Sequence, residues 1–199
     1  MGPAGTARER IAVCRRRIER ASTPVRRLAA KGRLARVLKP VSSEEARTIL
    51  RDVVEQAAGF PSLLSIAASD LAELEILRGD LASAADLIET AFRTAKAARS
   101  QRREALAWNA RGMLALVRSD YEGARTCFQQ CSNSARTVGD LLTLRVGLIN
   151  LANVAAEQGR SMEAVEMYRK CLRLDEQSAN PLARAISMYN LGWALMRTG

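Results

Sequence analysis

An all-α fold follows from three observations: strong helix formers throughout, a spacing of 40 residues between turn residues, and small residues recurring where helices would cross. The expected architecture is a right-handed α-solenoid of stacked antiparallel helix hairpins, with the last repeat incomplete. Ala, Leu, Arg and Glu dominate the 199 residues, 48% are apolar, and aromatics make up only 4%. Such a composition favours helix over strand. Period-2 alternation is not seen anywhere in the chain.

The repeat carries the argument. In Leu71–Ala91 a small residue, Ala72, precedes Gly79 by seven, and Ala84, Ile88 and Ala91 follow that glycine at +5, +9 and +12. The same register gives Gly112, Ser119, Ala124, Phe128 and Cys131, then Ala152, Gly159, Ala164, Tyr168 and Cys171, then Gly192 and Gly199. The turns therefore fall at 79, 119, 159 and 199. A small residue lets a partner helix approach closely, and Gly or Ser closes the first helix. The second helix then returns a small–large–small face. A hairpin of this kind cannot cover its own apolar side, so neighbours must stack.

Element by element, a basic helix is expected over 7–20. A divergent first hairpin pairs 25–38 with 43–58, broken after Lys39-Pro40. Ser42-Ser-Glu-Glu45 reads as a capping box opening its second helix. Three hairpins follow, 62–78 with 80–98, 103–118 with 120–138, and 141–158 with 161–174, and then a single helix over 181–198. As domains, 1–24 is a basic arm or helix, 25–64 the divergent hairpin, and 65–199 the repeat array, truncated in its fourth unit. Met188, Leu191 and Leu195 would then lie uncovered. The sequence is accordingly expected to be a fragment of a longer protein, or to pair with a partner or a second copy there, since solenoids normally end in a polar capping helix.

These units resemble the tetratricopeptide repeat. The matching residues are Trp108 with Gly112, Tyr121-Glu-Gly-Ala124 with Phe128, Leu148 with Leu151-Ala152, Gly159 through Ala164 with Tyr168, and Tyr189-Asn-Leu-Gly192. The period of 40 exceeds the usual ~34. Long units of this sort are similar to those of kinesin light chains, Pins-type polarity adaptors and bacterial signalling regulators. The resemblance implies a groove lined by the first helix of each pair. The implied lining is Ile66, Ser69, Asp70, Glu73 and Ile76, then Leu106, Asn109, Ala110, Met113 and Leu116. It continues with Val146, Ile149, Asn150, Asn153 and Ala156, then Ile186, Tyr189, Asn190, Trp193 and Met196. The candidate partner contacts are Asn109, Met113, Asn150, Asn153, Tyr189, Asn190 and Trp193. Asparagine both donates and accepts, which suits an extended peptide backbone. Asn150 and Asn190 fall where long-repeat relatives carry a peptide-binding asparagine. The same apolar residues would alternatively pack only against adjacent hairpins. A carboxylate clamp for acidic tails needs basic groups on these faces, and Val146 and Ile186 stand there instead.

Charge is uneven. Twelve of the 31 Lys+Arg and two of the 21 Asp+Glu lie in residues 1–40, leaving nineteen of each beyond. The excess of +10 is thus confined to the N-terminal fifth. Arg15, Arg16, Arg17, Arg26 and Arg27 are candidate contacts to nucleic acid or an acidic membrane surface. A transit peptide and a plain solvated face are the alternatives.

Chemistry is narrowly bounded. There is no histidine, which removes Ser-His-Asp and Cys-His nucleophiles and the usual zinc sites. Cys127 and Cys131 share one helix face but are expected to be core thiols, as are Cys14 and Cys171. Motifs for a cofactor, phosphate or dinucleotide are not seen. The apolar stretch 56–69 is too short to span a bilayer, and neither a signal peptide nor an enzyme is expected. The leading function is a cytoplasmic scaffold holding a partner peptide or helix. The alternatives are a ligand-sensing regulatory region of a larger bacterial signalling protein or transcription activator, and nucleic-acid binding through the basic segment.

Overall fold

The computed structural model describes residues 6–178 and 181–197. Among them are ten α-helices and no strand. They are α1 (Ala7–Glu19), α2 (Pro24–Leu38), α3 (Ser43–Gln56), α4 (Pro61–Arg78), α5 (Leu81–Ala97), α6 (Gln101–Val117), α7 (Tyr121–Thr137), α8 (Leu141–Glu157), α9 (Ser161–Ser178) and α10 (Pro181–Met196). The fold class is the all-α hairpin stack expected from the 40-residue register. Two compact units divide the chain at residues 103 and 104, in the first turn of α6.

The helix ends explain the period. Left-handed φ angles occur at Gly79 (89°), Arg99 (47°), Ser119 (61°), Gly139 (67°) and Gly159 (74°), one every twenty residues. At each, the following residue donates its N–H to a carbonyl five positions back: Asp80 to Glu75, Ser100 to Ala95, Asp120 to Ala115, Asp140 to Ala135 and Arg160 to Ala155. This closure satisfies the orphan carbonyls of a helix C-terminus. Three of these residues then cap the next helix, with the carboxylates of Asp80, Asp120 and Asp140 accepting from the backbone N–H of Ser83, Gly123 and Thr143. The repeat is thus a twenty-residue helix-and-turn module used twice per hairpin. The turn glycine expected at 199 and the connection at 179–180 lie outside the described residues.

In the first unit, α1 packs on α2, α2 on α3, α3 on α4 and α4 on α5. Cys14 is buried, with Ile11 and Ile18 beside it, in a core shared with Leu28, Leu34, Leu50 and Leu71. α4 and α5 meet closely through the small residues Ala72, Ala84 and Ala91, all fully buried, and the Ser65 hydroxyl donates to the Ala91 carbonyl at 2.9 Å. Glu75 stands where the sister repeats have Ala115 and Ala155. It is buried, and Arg51 (2.9 Å), Arg47 (3.7 Å) and Arg78 (3.9 Å) surround it. A buried carboxylate is tolerated only with such pairing.

The capping box expected at Ser42 is not formed; its side chain makes no cap hydrogen bond. Its backbone N–H is already taken by the Leu38 carbonyl at 2.7 Å, and Glu45 reaches Arg15 instead at 3.2 Å. The box that does form is Thr6 with Glu9, at the start of α1.

In the second unit, α6 meets α7 where Gly112 faces Phe128. A Cβ on that glycine would lie 2.5 Å from the ring. α7 packs on α8, α8 on α9 and α9 on α10. Phe128 and Tyr168, the large residues of the return helices, are fully buried, as are Ala124, Cys131, Ala152, Ala164 and Cys171. Burial of each aromatic contributes about 1.5–3 kcal/mol. α9 runs four residues past its expected end at 174, because Asp175 is held at 1% exposure by Arg145 and Ser187.

Candidate functional site

The site is built on the first helices of the hairpins in the second unit. Leu116 from α6, Asn153, Ala156 and Glu157 from α8, Tyr168 from α9, and Tyr189, Asn190 and Trp193 from α10 line one recess of about 370 Å³. Residues 189, 190 and 193 share a face because helical neighbours recur at three and four positions. Four of the seven candidate contacts, Asn153, Tyr189, Asn190 and Trp193, therefore come together.

Inside the recess, the Tyr168 hydroxyl donates to Asn153 Oδ1 at 2.5 Å. Burial, with added repulsion from Cys171 and Glu157, pushes the Tyr168 phenol up to about 12. It remains a neutral donor, and its hydrogen bond fixes which group of the Asn153 amide is the oxygen. Tyr189 is 74% exposed. Trp193 is half-buried, with the Arg197 guanidinium 4.6 Å from its ring centre. The recess thus offers aromatic faces, amide donors and acceptors, and the Glu157 carboxylate.

The other three candidates lie elsewhere. Asn109 is buried, and its Oδ1 accepts from Asn150 Nδ2 at 2.8 Å. Its own amide points to the Met113 sulfur at 3.7 Å. Asn109 is therefore used inside the protein, tying α6 to α8, and is withdrawn as a partner contact. Asn150 spends one N–H on that bond. The lining expected in the first unit is also corrected. Ser69 and Ile76 are buried, Arg36 pairs with Asp70 at 2.5 Å, and Lys39 pairs with Asp70 and Glu73. α2 lies against this face of α4 and fills it. Burial pulls the Lys39 ammonium down, but Glu73 and then Asp70 outweigh it and raise its pKa.

Tyr168 and Glu157 are the lining residues that sequence reasoning missed. Tyr168 occupies the large core slot, and its only signal is a hydroxyl where Ile88 and Phe128 have none. Of the basic candidates, Arg15 pairs with Glu45 and Arg26 donates to the Ser22 hydroxyl at 3.2 Å. Arg16, Arg17 and Arg27 are exposed on α1 and α2.

Among the described residues no group of His, Cys, Asp or Glu could hold a metal ion, and no helix is long and apolar enough to cross a membrane. All four cysteines are free and buried. Burial pushes the Cys171 thiol up to about 12 and raises Cys127 as well. The thiolate is the reactive form, so Ellman's reagent at pH 8 is expected to leave Cys127 and Cys171 unmodified in the native chain. Four equivalents should react in guanidinium.

Comparison with known proteins places this geometry. Residues 102–177 match the tetratricopeptide repeat family. The crystal structure of BtubC (BKLC) from P. vanneervenii superposes with a TM-score of 0.71 at 18% identity, covering 98% of this chain and 85% of that one. A signal transduction ATPase with numerous domains and a tetratricopeptide repeat sensor, from Pyrococcus horikoshii, superposes at 0.70 with 12% identity; this chain spans 32% of it. A putative kinesin light chain with nearly identical repeats, from Podosopora anserina, superposes at 0.60 with 18% identity, covering 90% of each chain. No curated protein matches by sequence. Residues 102–177 thus match the tetratricopeptide repeat, and the forty-residue register, the buried small–large–small slots and these structural likenesses give the chain the fold of a helix-hairpin repeat stack.

Proposed function

We propose that the chain is a protein-interaction module and that the recess around Tyr189, Asn190 and Trp193 seats an extended peptide of its partner. Tetratricopeptide repeats generally mediate protein–protein interaction. The observation that carries the finer reading is the exposed Tyr189 ring beside Trp193 and Asn190 in one recess. An aromatic pair with amide groups between them matches the anchors that dominate protein interfaces. The apolar rings receive side chains, and Asn153 and Asn190 address the backbone.

The test is selection of binding peptides from a displayed library, followed by calorimetry. Tyr189→Ala with Trp193→Ala is expected to weaken the selected peptide by at least about 30-fold, the effect of losing one hot-spot aromatic worth about 2 kcal/mol. Circular dichroism should be unchanged. Equal affinity in the double variant would remove the recess as the site.

A second reading, a regulatory region of a larger signalling protein, is favoured by the likeness to the Pyrococcus repeat sensor. It uses the same recess for a ligand that a neighbouring domain responds to.

A further inference from the structure

α8 ends on a carboxylate. Glu157 is its final residue, and no basic side chain stands in its last turn. The C-terminus of a helix is the negative end of the backbone dipole and favours cations, so a glutamate there is unfavourable for the helix itself. The equivalent residues of α6 and α4 are Val117 and Leu77, so the charge belongs to this helix and not to the repeat. Among the described residues Glu157 makes no ion pair, and Arg160, close by in sequence, is turned to Glu163. The Glu157 side chain lines the recess with Tyr189 and Trp193, and no basic residue is in that lining. After burial and Cys171, Glu157 is the group that holds the Tyr168 phenol up, so its field reaches the recess. Leu116, Asn153, Ala156, Glu157 and Tyr168 come from α6, α8 and α9, so the recess is not a property of α10 alone. Both tryptophans of this unit take a guanidinium on the ring: Arg111 lies 5.3 Å from the Trp108 centre and Arg197 4.6 Å from that of Trp193. Arg197 is not part of the recess lining.

Resting on the reading of this recess as a peptide site, we infer that it is an arginine pocket: the partner's extended segment places one guanidinium there, its charge against the Glu157 carboxylate and its plane against the Tyr189 or Trp193 ring. A guanidinium is planar and weakly hydrated, stacks on aromatic faces and pairs with a carboxylate through two parallel hydrogen bonds. The other side chains fit less well. An acidic one would meet both Glu157 and the negative end of α8, and like charges brought together across an interface are costly. A purely apolar one would take water from the carboxylate without pairing it. A lysine would supply the charge but not the stacking plane. The recess therefore selects by charge as well as by shape, and the segment it selects is basic.

The probe is a displayed peptide library selected on the parent chain, followed by calorimetry with one selected peptide and its citrulline counterpart, which keeps the shape of arginine and loses its charge. Selected peptides are expected to share one arginine, and citrulline in its place should weaken binding by at least about tenfold. Glu157→Gln in the chain should weaken the arginine peptide by a similar factor and leave the citrulline peptide within about twofold, since the two changes remove the same pair. The same variant should keep or raise the melting temperature of the chain, because the helix dipole opposes the charge it removes. A carboxylate with a merely structural role would lower it. Selected peptides without a shared arginine would overturn the arginine pocket and leave the peptide site standing. So would an arginine peptide that is indifferent to Glu157→Gln yet lost with Tyr189→Ala and Trp193→Ala. Peptides indifferent to all of these substitutions, or a library from which nothing is selected, would overturn both.

Discussion

Gly112→Leu is expected to destabilise the second unit by about 1–3 kcal/mol, the usual cost of overpacking a filled core. The isobutyl group would enter space where even a Cβ lies 2.5 Å from the Phe128 ring. Phe128 is fully buried against α6 and α8 neighbours and has no free direction to turn. Gly192→Leu is the internal control. It changes the same residue at the same repeat position, but nothing lies within 4 Å of its Cβ. Its melting temperature should hold or rise, since leucine is the better helix former by up to about 1 kcal/mol. Thermal melts followed by tryptophan fluorescence read this unit alone, because both tryptophans, Trp108 and Trp193, belong to it. Equal melts for the two variants would mean that Gly112 is not pressed against the Phe128 ring and that the crossing of α6 and α7 is misplaced.

Asp175→Ala is expected to cost more, about 3–5 kcal/mol, because it leaves a charge unpaired in the core. Asp175 is 1% exposed. Its Oδ1 lies 2.5 Å from Arg145 Nε, and its Oδ2 accepts from the Ser187 hydroxyl at 2.6 Å. Arg145 also donates to the Ala183 carbonyl at 2.8 Å. One ion pair thus ties α8, α9 and α10 together. Removing the carboxylate leaves the guanidinium without its counter-charge and the Ser187 hydroxyl without its acceptor. A double variant, Arg145→Met with Asp175→Leu, should recover most of the loss, since apolar replacement of a buried pair is often near neutral. Urea titrations of the single and double variants measure this. A single variant as stable as the parent would show that water reaches Arg145 freely.

Much of the fold was legible because a repeat states the same constraint several times. Gly79, Ser119 and Gly159 mark a backbone condition, the left-handed helix end, that few residues meet. Ala72, Gly112 and Ala152 mark a steric one. The finer half-period was harder to see. Arg99 takes the same left-handed conformation as Gly139, and nothing in an arginine announces it. Individual polar pairings were not legible at all. Asn109 and Asn150 suit a peptide backbone and equally suit each other, and only their 2.8 Å contact decides the matter. Asp70 and Glu73 have the spacing of groove residues, yet α2 brings Arg36 and Lys39 onto them. Periodicity sets which face a residue occupies. It does not set which neighbouring helix lies on that face. Tyr189's exposure was legible for the opposite reason: nothing described covers it, so its placement followed from register alone.

Amide hydrogen exchange with and without a selected peptide tests the central claim most directly. Added protection is expected in residues 150–157 and 186–196, which carry Asn153, Tyr189, Asn190 and Trp193, with α1 and α2 unchanged. Protection confined to the basic helices α1 and α2, or to the outer helices α7 and α9, would contradict it.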